Sequence, residues 1–433
     1  MKQREISHFI FLIIFYPLAI LAGNSAESYL EQAAQAIKQK NGIAAKKLLV
    51  DAYVAFPTNT TIISQLASLY YLLQEYEQAA LYFEKLVALS PDNQTHYNLG
   101  ATYCKLGRFT EAIKEYEPLM QQFPHEPIIS SALLKLYVRT KQFKKAEAIV
   151  KPNLCWFDEN IYGKTILLDL DKEGNGFGDG IMFIRYARRL EQAGARIVVK
   201  APKPLVPLLS RCPYIASVIT KSDQTPPCDK EFGICIVSLM CKSKYRIAMN
   251  LPETPYLTAD PALIAQWRQQ LSRDTNFKVG LCWESNFVKN SFTGAIIPSP
   301  RAINLASLKP IALPGISFYS LQKKSGDATP FAITQFDGDF DESHGRFMDT
   351  AALIMNCDLI ISVDTSIAHL AGALGKPTWL LLNCESDYRW FTQDSSCYWY
   401  SSMRLFRQQQ FGNWAPVVAQ VKAELEKREK NHE

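Results

Sequence analysis

Two short stretches of this sequence place chemically useful groups at the start of a helix. The first is Gly174-Asn175-Gly176-Phe177-Gly178-Asp179-Gly180, which follows the apolar run Thr165–Leu170 and precedes a helical pattern from Ile181 to about Ala193. Gly176, Gly178 and Gly180, with Gly174 before them, shape a loop whose backbone can approach a ligand closely. The spacing departs from the dinucleotide fingerprint, because Asp179 stands where its third glycine belongs, and no Gly-Lys-Ser/Thr phosphate loop is present. What remains is a carboxylate displayed at a helix start. Asp179 is either a simple N-cap or a general base facing a cleft.

The second stretch runs from Asp364-Thr365-Ser366-Ile367-Ala368-His369 to Pro377, directly after the apolar run Asp358–Val363. Asp364 or Thr365 caps a helix whose free N–H groups and positive dipole end make an anion site suited to a diphosphate. His369 lies one turn in, on the face of Thr365 and Ser366, within reach of the same anion. A base at one pole and an anion site at the other are what the transfer of a group from a diphosphate requires.

Such groups need a scaffold. The apolar runs Thr165–Leu170, Arg196–Val199, Ala216–Ile219 and Ile234–Leu239 alternate with helix-length segments. The runs Lys278–Trp283, Ile316–Leu321, Asp358–Val363 and Pro377–Leu382 then do the same. Strands apolar on both faces and separated by helices predict parallel sheets covered on both sides. The polar bridge Leu257–Asn276 divides them into two groups of four, which predicts two doubly wound lobes with a cleft between them. In such sheets ligands sit at the carboxyl ends of strands, where both stretches fall.

The N-terminal third has another rhythm. Ala45, Ala79, Ala112 and Ala146 recur at about 34 residues, in register with Tyr70, Tyr103 and Tyr137 and with Pro57, Pro91 and Pro124. Gly100 and Ala112 allow two antiparallel helices to approach, Tyr103 and Tyr116 fill the groove between them, and Gly107 stands in the turn. Pro124 stops the second helix. The pattern resembles the tetratricopeptide repeat over roughly residues 27–155 and implies a face for protein or peptide partners.

The 433-residue chain has a net charge of +5 with both signs interspersed, and no basic stripe marks a nucleic-acid partner. Its ten cysteines form no C-x-x-C pair, which speaks against structural zinc and for a reducing compartment. Asp169-Leu170-Asp171 and Asp337-Gly338-Asp339 look like metal-binding D-x-D pairs but read as solvated loop acids, so no metal site is expected. Lys2 and Arg4 precede the apolar stretch Phe9–Ala22, which is short for a bilayer span of ~20 residues and fits a secretory signal or a membrane anchor. The cysteines favour a cytoplasmic chain tethered to the inner membrane face through residues 9–22, with export as the alternative.

The stretch Phe347–Leu353, and then Asp358 through Pro377, resembles the heptosyltransferase-like glycosyltransferases, above all a bacterial branch fused to tetratricopeptide repeats. Agreement extends to Tyr388-Arg389-Trp390, Trp399-Tyr400, Met403–Gln408, Gly412-Asn413-Trp414, Val279–Trp283, Arg301, Ser320–Lys323 and Gly178-Asp179. The resemblance implies a GT-B fold: an α + α/β chain with 1–23 as signal or anchor, repeats over 24–155, an acceptor lobe over 156–275, and a nucleotide-sugar lobe with return helix over 276–433. It implies inverting, metal-independent transfer from a nucleotide-diphosphate sugar, which is a substrate, so no cofactor is expected. By position, Asp179 resembles the catalytic base, Asp364, Thr365, Ser366 and His369 the diphosphate-binding helix start, and Arg301 a residue neutralising the leaving phosphate. Gln322 and Lys323 follow a strand end and line the nucleotide pocket in this reading. The repeats would recruit a protein or glycan acceptor. Ser401 and Asn383 stand where that family often has proline, and the insert Asn286–Pro300 carries no identifiable chemistry. The alternative is a non-catalytic repeat scaffold with a degenerate GT-B domain.

Overall fold

The computed structural model describes residues 25–149, 160–171, 176–233, 254–290, 292–322, 329–336, 338–392 and 395–429. The expected strand Ile234–Leu239, the apolar segment 9–22 and Lys323 lie outside the described residues. The chain forms two compact units. One comprises Met1–Ile149 with Phe287–Ile297 and Asp387–Phe391, and the other Val150–Asn286, Pro298–Ser386 and Thr392–Glu433.

The first unit contains α1 (Ala26–Lys38), α2 (Gly42–Ala55), α3 (Thr60–Leu72), α4 (Tyr76–Leu89), α5 (Asn93–Lys105), α6 (Phe109–Gln122), α7 (Pro127–Arg139) and α8 (Phe143–Ile149). Side chains of Ser25, Asn41, Asn59 and Asp92 accept first-turn N–H groups, so capping starts α1, α2, α3 and α5. Gly100 meets the ring of Tyr116 so closely that a Cβ there would lie 2.6 Å from it. Gly107 has φ +74°, and Lys40, Gln74 and Lys141 occupy the same left-handed turn one repeat apart, with φ of 58°, 64° and 60°. Successive repeats are also tied by Tyr103 and Tyr137, whose hydroxyls donate to Glu84 and Glu117 at 2.8 Å. The chemically silent insert belongs to this unit: Phe292 packs on Gly42, 3.0 Å from where a Cβ would stand.

The second unit holds two parallel sheets. β1 (Thr165–Asp169), β2 (Arg196–Lys200), β3 (Ser217–Ile219) and β4 (Lys230–Gly233) lie in the order β3-β2-β1-β4. After the ribbon strands β6 (Phe287–Lys289) and β7 (Ile296–Pro298), the other sheet is completed around β5 (Phe277–Cys282). Its members β8 (Ile316–Ser320), β9 (Leu359–Val363), β10 (Thr378–Leu382) and β11 (Met403–Arg407) give the order β11-β10-β9-β5-β8. This sheet has five strands where the sequence reading expected four. Met403–Arg407 alternates buried and open residues at its start, so it lacks the continuous apolar run of its neighbours. β9 and β10 are buried throughout, as strands covered on both faces must be.

The polar bridge contains the helix Pro261–Gln270, capped by Asp260. Its Trp267 is buried and donates to Asp349 at 3.1 Å, which explains how a polar segment anchors itself. One face of the five-stranded sheet, with Leu281, Ile361 and Phe406, packs on Val417, Val421 and Leu425 of the final helix Ala415–Glu429. Each such side chain, fully buried, contributes on the order of 1.5–3 kcal/mol.

Candidate functional site

Both sheets reverse their winding beside a central strand, and that is where the two sequence stretches sit. In the first sheet the chain moves from β1 to β2 and β3 and returns to β4 on the other side of β1. The carboxyl end of β1 leads toward α9 (Phe177–Phe183). In the second, β8 and β9 flank β5, and the carboxyl end of β9 leads into the helix Ser366–Ala373. These switch points are the crevices in which doubly wound sheets bind ligands.

The helix expected from Ile181 starts earlier, at Phe177, and breaks at Ile184, where α10 (Arg185–Gln192) takes over. Asp179 is therefore not the N-cap residue. Gly176 occupies that position, and Asp179, third in the helix, reaches back so that its Oδ2 accepts the Gly176 N–H at 2.9 Å. This is the carboxylate half of a capping box. Gly178 leaves no room for a side chain: a Cβ would stand 2.8 Å from Cδ2 of His369 and 3.6 Å from Cα of Ser366. Gly180 is equally enclosed, with Leu205 2.7 Å from its Cβ position. Gly178 thus serves the close packing of two helix N-termini, one from each sheet, and Gly180 the packing of α9 on Leu205.

On the opposite side Thr365 is the N-cap, its Oγ1 accepting the Ile367 N–H at 3.3 Å. Asp364 is buried behind it and lies 3.7 Å from the Arg301 guanidinium, which is about half exposed. Arg301 brings positive charge to the helix end that already attracts anions. His369 is buried one turn in, its Nδ1 2.8 Å from the Tyr400 hydroxyl. Gln322, after β8, turns its Oε1 toward the end of β5, where it accepts the Cys282 thiol at 2.9 Å and the Glu284 N–H at 3.1 Å. A backbone N–H can only donate, so this bond fixes which end of the Gln322 amide is oxygen. Burial pushes the Cys282 thiol up to about 11, and it stays a neutral donor.

The structure therefore brings together Asp179, Gly176, Gly178, Ser366 and His369 at one helix junction. Thr365, Asp364, Arg301 and Gln322 lie along the adjoining strand ends. Asp169 departs from the sequence reading, because it is buried and paired with Lys200 at 3.1 Å rather than solvated. It stands at the end of β1, where β2 presents the lysine in register. Among the described residues no group of three or more His, Cys, Asp and Glu side chains is arranged to hold a metal ion. Residues not singled out for a role by the sequence also converge here. Arg185 is buried among Tyr256, Trp399 and Tyr400, and Arg346 lies over the rings of Phe177 and Phe347 at 5.2 and 5.4 Å. Their partners are far apart in the chain, so no local spacing signals them.

With this geometry in place, the comparisons with known proteins match its two parts, helical repeats followed by a parallel-sheet α/β domain. Residues 61–93 and 94–118 match the tetratricopeptide repeat, and residues 346–382 match glycosyltransferase family 9 (heptosyltransferase). The chain is thus similar to tetratricopeptide repeats in its first unit and, over a short segment of its parallel-sheet α/β unit, to that glycosyltransferase family. The family match covers the helix Met348–Asn356, β9, the helix Ser366–Ala373 and β10, and so includes Asp364, Thr365, Ser366 and His369. A curated relative, Protein FlbA of Caulobacter vibrioides, is 24% identical over 392 residues, which is 80% of this chain and 63% of the relative. The chain thus spans about three fifths of the length of that relative. Among solved structures, E. coli ADP-heptose LPS heptosyltransferase II is 15% identical with a TM-score of 0.40, covering 61% of this chain and 99% of the other. A glycosyl transferase family 9 protein from Veillonella parvula is 12% identical with a TM-score of 0.38, covering 58% and 87%.

Proposed function

We propose that the chain transfers a sugar from a nucleotide-diphosphate donor to an acceptor hydroxyl, with inversion and without a metal ion. The observation that carries this reading is the contact between two helix N-termini. Gly178 packs on Ser366 and His369, so the residue next to Asp179 meets the N-terminal end of a helix in the family-matching segment, which supports a base and an anion site side by side. Asp179 takes the proton of the attacking hydroxyl on one side of the anomeric carbon. The diphosphate leaves on the other side, received by the N–H groups capped by Thr365, by His369 and by Arg301. Attack and departure on opposite faces invert the centre. Fixed donors and a guanidinium aimed at the leaving group supply the charge stabilisation that metal-using transferases obtain from a cation.

Gln322 lines the nucleotide side of this site in our reading, and the repeats over residues 24–155 recruit the protein or glycan acceptor. The acceptor lobe over 156–275 and the donor lobe over 276–433 divide the labour at the Leu257–Asn276 bridge. Release of free nucleoside diphosphate from a panel of nucleotide sugars, followed with the full chain in the presence of a chelator, tests the reading. Turnover of one donor supports it. Binding of partners by the repeats with no donor turned over or bound favours a non-catalytic scaffold instead.

A further inference from the structure

Behind His369 lies a group of buried residues that the proposed reaction does not use. Arg185 opens α10 and is 8% exposed, and among the described residues its hydrogen-bond partners include no carboxylate. Its guanidinium donates to the carbonyls of Met182 at 3.0 Å and Trp399 at 2.9 Å and to the Tyr256 hydroxyl at 3.3 Å. It also lies 4.7 Å from the Tyr256 ring centre and 4.9 Å from that of Tyr400. The Tyr256 hydroxyl donates to the Ile181 carbonyl at 3.0 Å and stands 3.4 Å from the Tyr400 hydroxyl. Tyr400 is fully buried, and its hydroxyl meets Nδ1 of His369 at 2.8 Å. Gly372, three residues along the helix from His369, has its Cβ position only 2.5 Å from the Tyr400 ring. The phenol therefore lies flush along the helix face that carries the imidazole.

This arrangement fixes one edge of the ring and thereby the other. With Nδ1 held by Tyr400, the Cδ2–Nε2 edge is the one that meets Gly178, whose Cβ position is 2.8 Å from Cδ2 and 3.5 Å from Nε2. That edge faces the start of α9, one residue from Asp179. We infer that Tyr400, braced by Arg185 and Tyr256, is a positioning residue that holds His369 with Nε2 turned toward the reacting diphosphate. The inference rests on the donor-site reading above and adds to it the residues that set the imidazole. Because Arg185 spans α9, the Trp399 carbonyl and Tyr256, the same cation that braces Tyr400 also ties the first sheet's helix to the second sheet's loop.

The test is a double-mutant cycle on nucleoside-diphosphate affinity, measured by calorimetry with the full chain and a panel of UDP, ADP and GDP. Tyr400→Phe retains the ring and removes only the hydroxyl. We expect it to weaken binding about tenfold, the scale of a hydrogen bond near a charged ligand. In a His369→Ala background it should cause no further loss, since the group it positions is gone. Equal loss in both backgrounds, or none in either, would overturn the inference while leaving the donor site standing. If no nucleoside diphosphate binds the unmodified chain, the donor-site reading fails and the inference falls with it. Should Tyr400→Phe not fold, the unmodified chain still decides: the Nε2 resonance of His369, assigned by its loss in His369→Ala, must move when the bound diphosphate is added. A resonance that does not move overturns the inference.

Discussion

In the proposed reaction Asp179 would carry two roles that one substitution can separate. Its Oδ2 caps the Gly176 N–H, and an amide oxygen can make the same bond, but an amide cannot take a proton. Asp179→Asn should therefore melt near the unmodified chain and bind the nucleoside diphosphate with similar affinity, while turnover falls by about 10²–10⁴. Steady-state rates beside calorimetry check this, and a variant with undiminished turnover would reduce Asp179 to a cap. His369→Ala should instead weaken diphosphate binding by about tenfold or more, and should also lower the melting temperature, because it removes the partner of the buried Tyr400 hydroxyl. At this scale the sequence showed the poles but not their setting. Asp179 and the Asp364–His369 stretch were visible because each is a local motif at a helix start. Tyr400, Tyr256, Arg185 and Cys282 acquire their places only when segments up to 214 residues apart meet, as in the Arg185–Trp399 bond.

Two element-level contacts make separate predictions. Where α9 meets the helix Ser366–Ala373, Gly178→Ala inserts a methyl 2.8 Å from the His369 ring, and either the ring or α9 must move. Donor affinity should fall several-fold, roughly a 1–3 kcal/mol overpacking effect shared between binding and stability. Calorimetry and thermal melting together read out that division. At the other end of the sheet, Glu424 on the final helix accepts from Arg404 of β11 and from Lys427, each at 2.8 Å. Those two hydrogen bonds hold its carboxyl down to about 2. A lowered folded value stabilises the native state above the ordinary glutamate value of 4.5 and loses that contribution as pH falls from there toward 2. Glu424→Gln should melt below the unmodified chain at pH 7, by no more than about 1 kcal/mol for so open a pair. The gap should narrow below pH 4.5, which a melting series across pH checks.

Element legibility followed the physics of each signal. Fully buried strands such as β9 and β10 announce themselves as apolar runs, whereas β11, with Arg404 exposed near its start, does not. The repeat turns were legible at Gly107 alone, although Lys40, Gln74 and Lys141 adopt the same left-handed backbone. Each donates its backbone N–H to a carbonyl of the preceding helix, to Ile37, Tyr71 and Val138, in a conformation that its side chain does not advertise.

At the scale of the whole molecule, the combination of repeats and two parallel sheets was readable because the two halves obey different periods. One recurs at about 34 residues and the other alternates strand with helix. The role of the insert 286–300 was not readable, since its value lies in Phe292 packing on Gly42, a contact that no local spacing reveals. Among the described residues no helix is long and apolar enough to cross a membrane. In the proposed function the repeats serve the acceptor and the helix junction the donor, so the donor can be tested alone. The most direct measurement is calorimetric titration of the full chain with UDP, ADP and GDP in the presence of a chelator. The account predicts saturable, selective binding of one nucleoside diphosphate, weakened by His369→Ala and retained by Asp179→Asn. Binding that appears only when a divalent cation is restored, or no binding of any diphosphate, would contradict it.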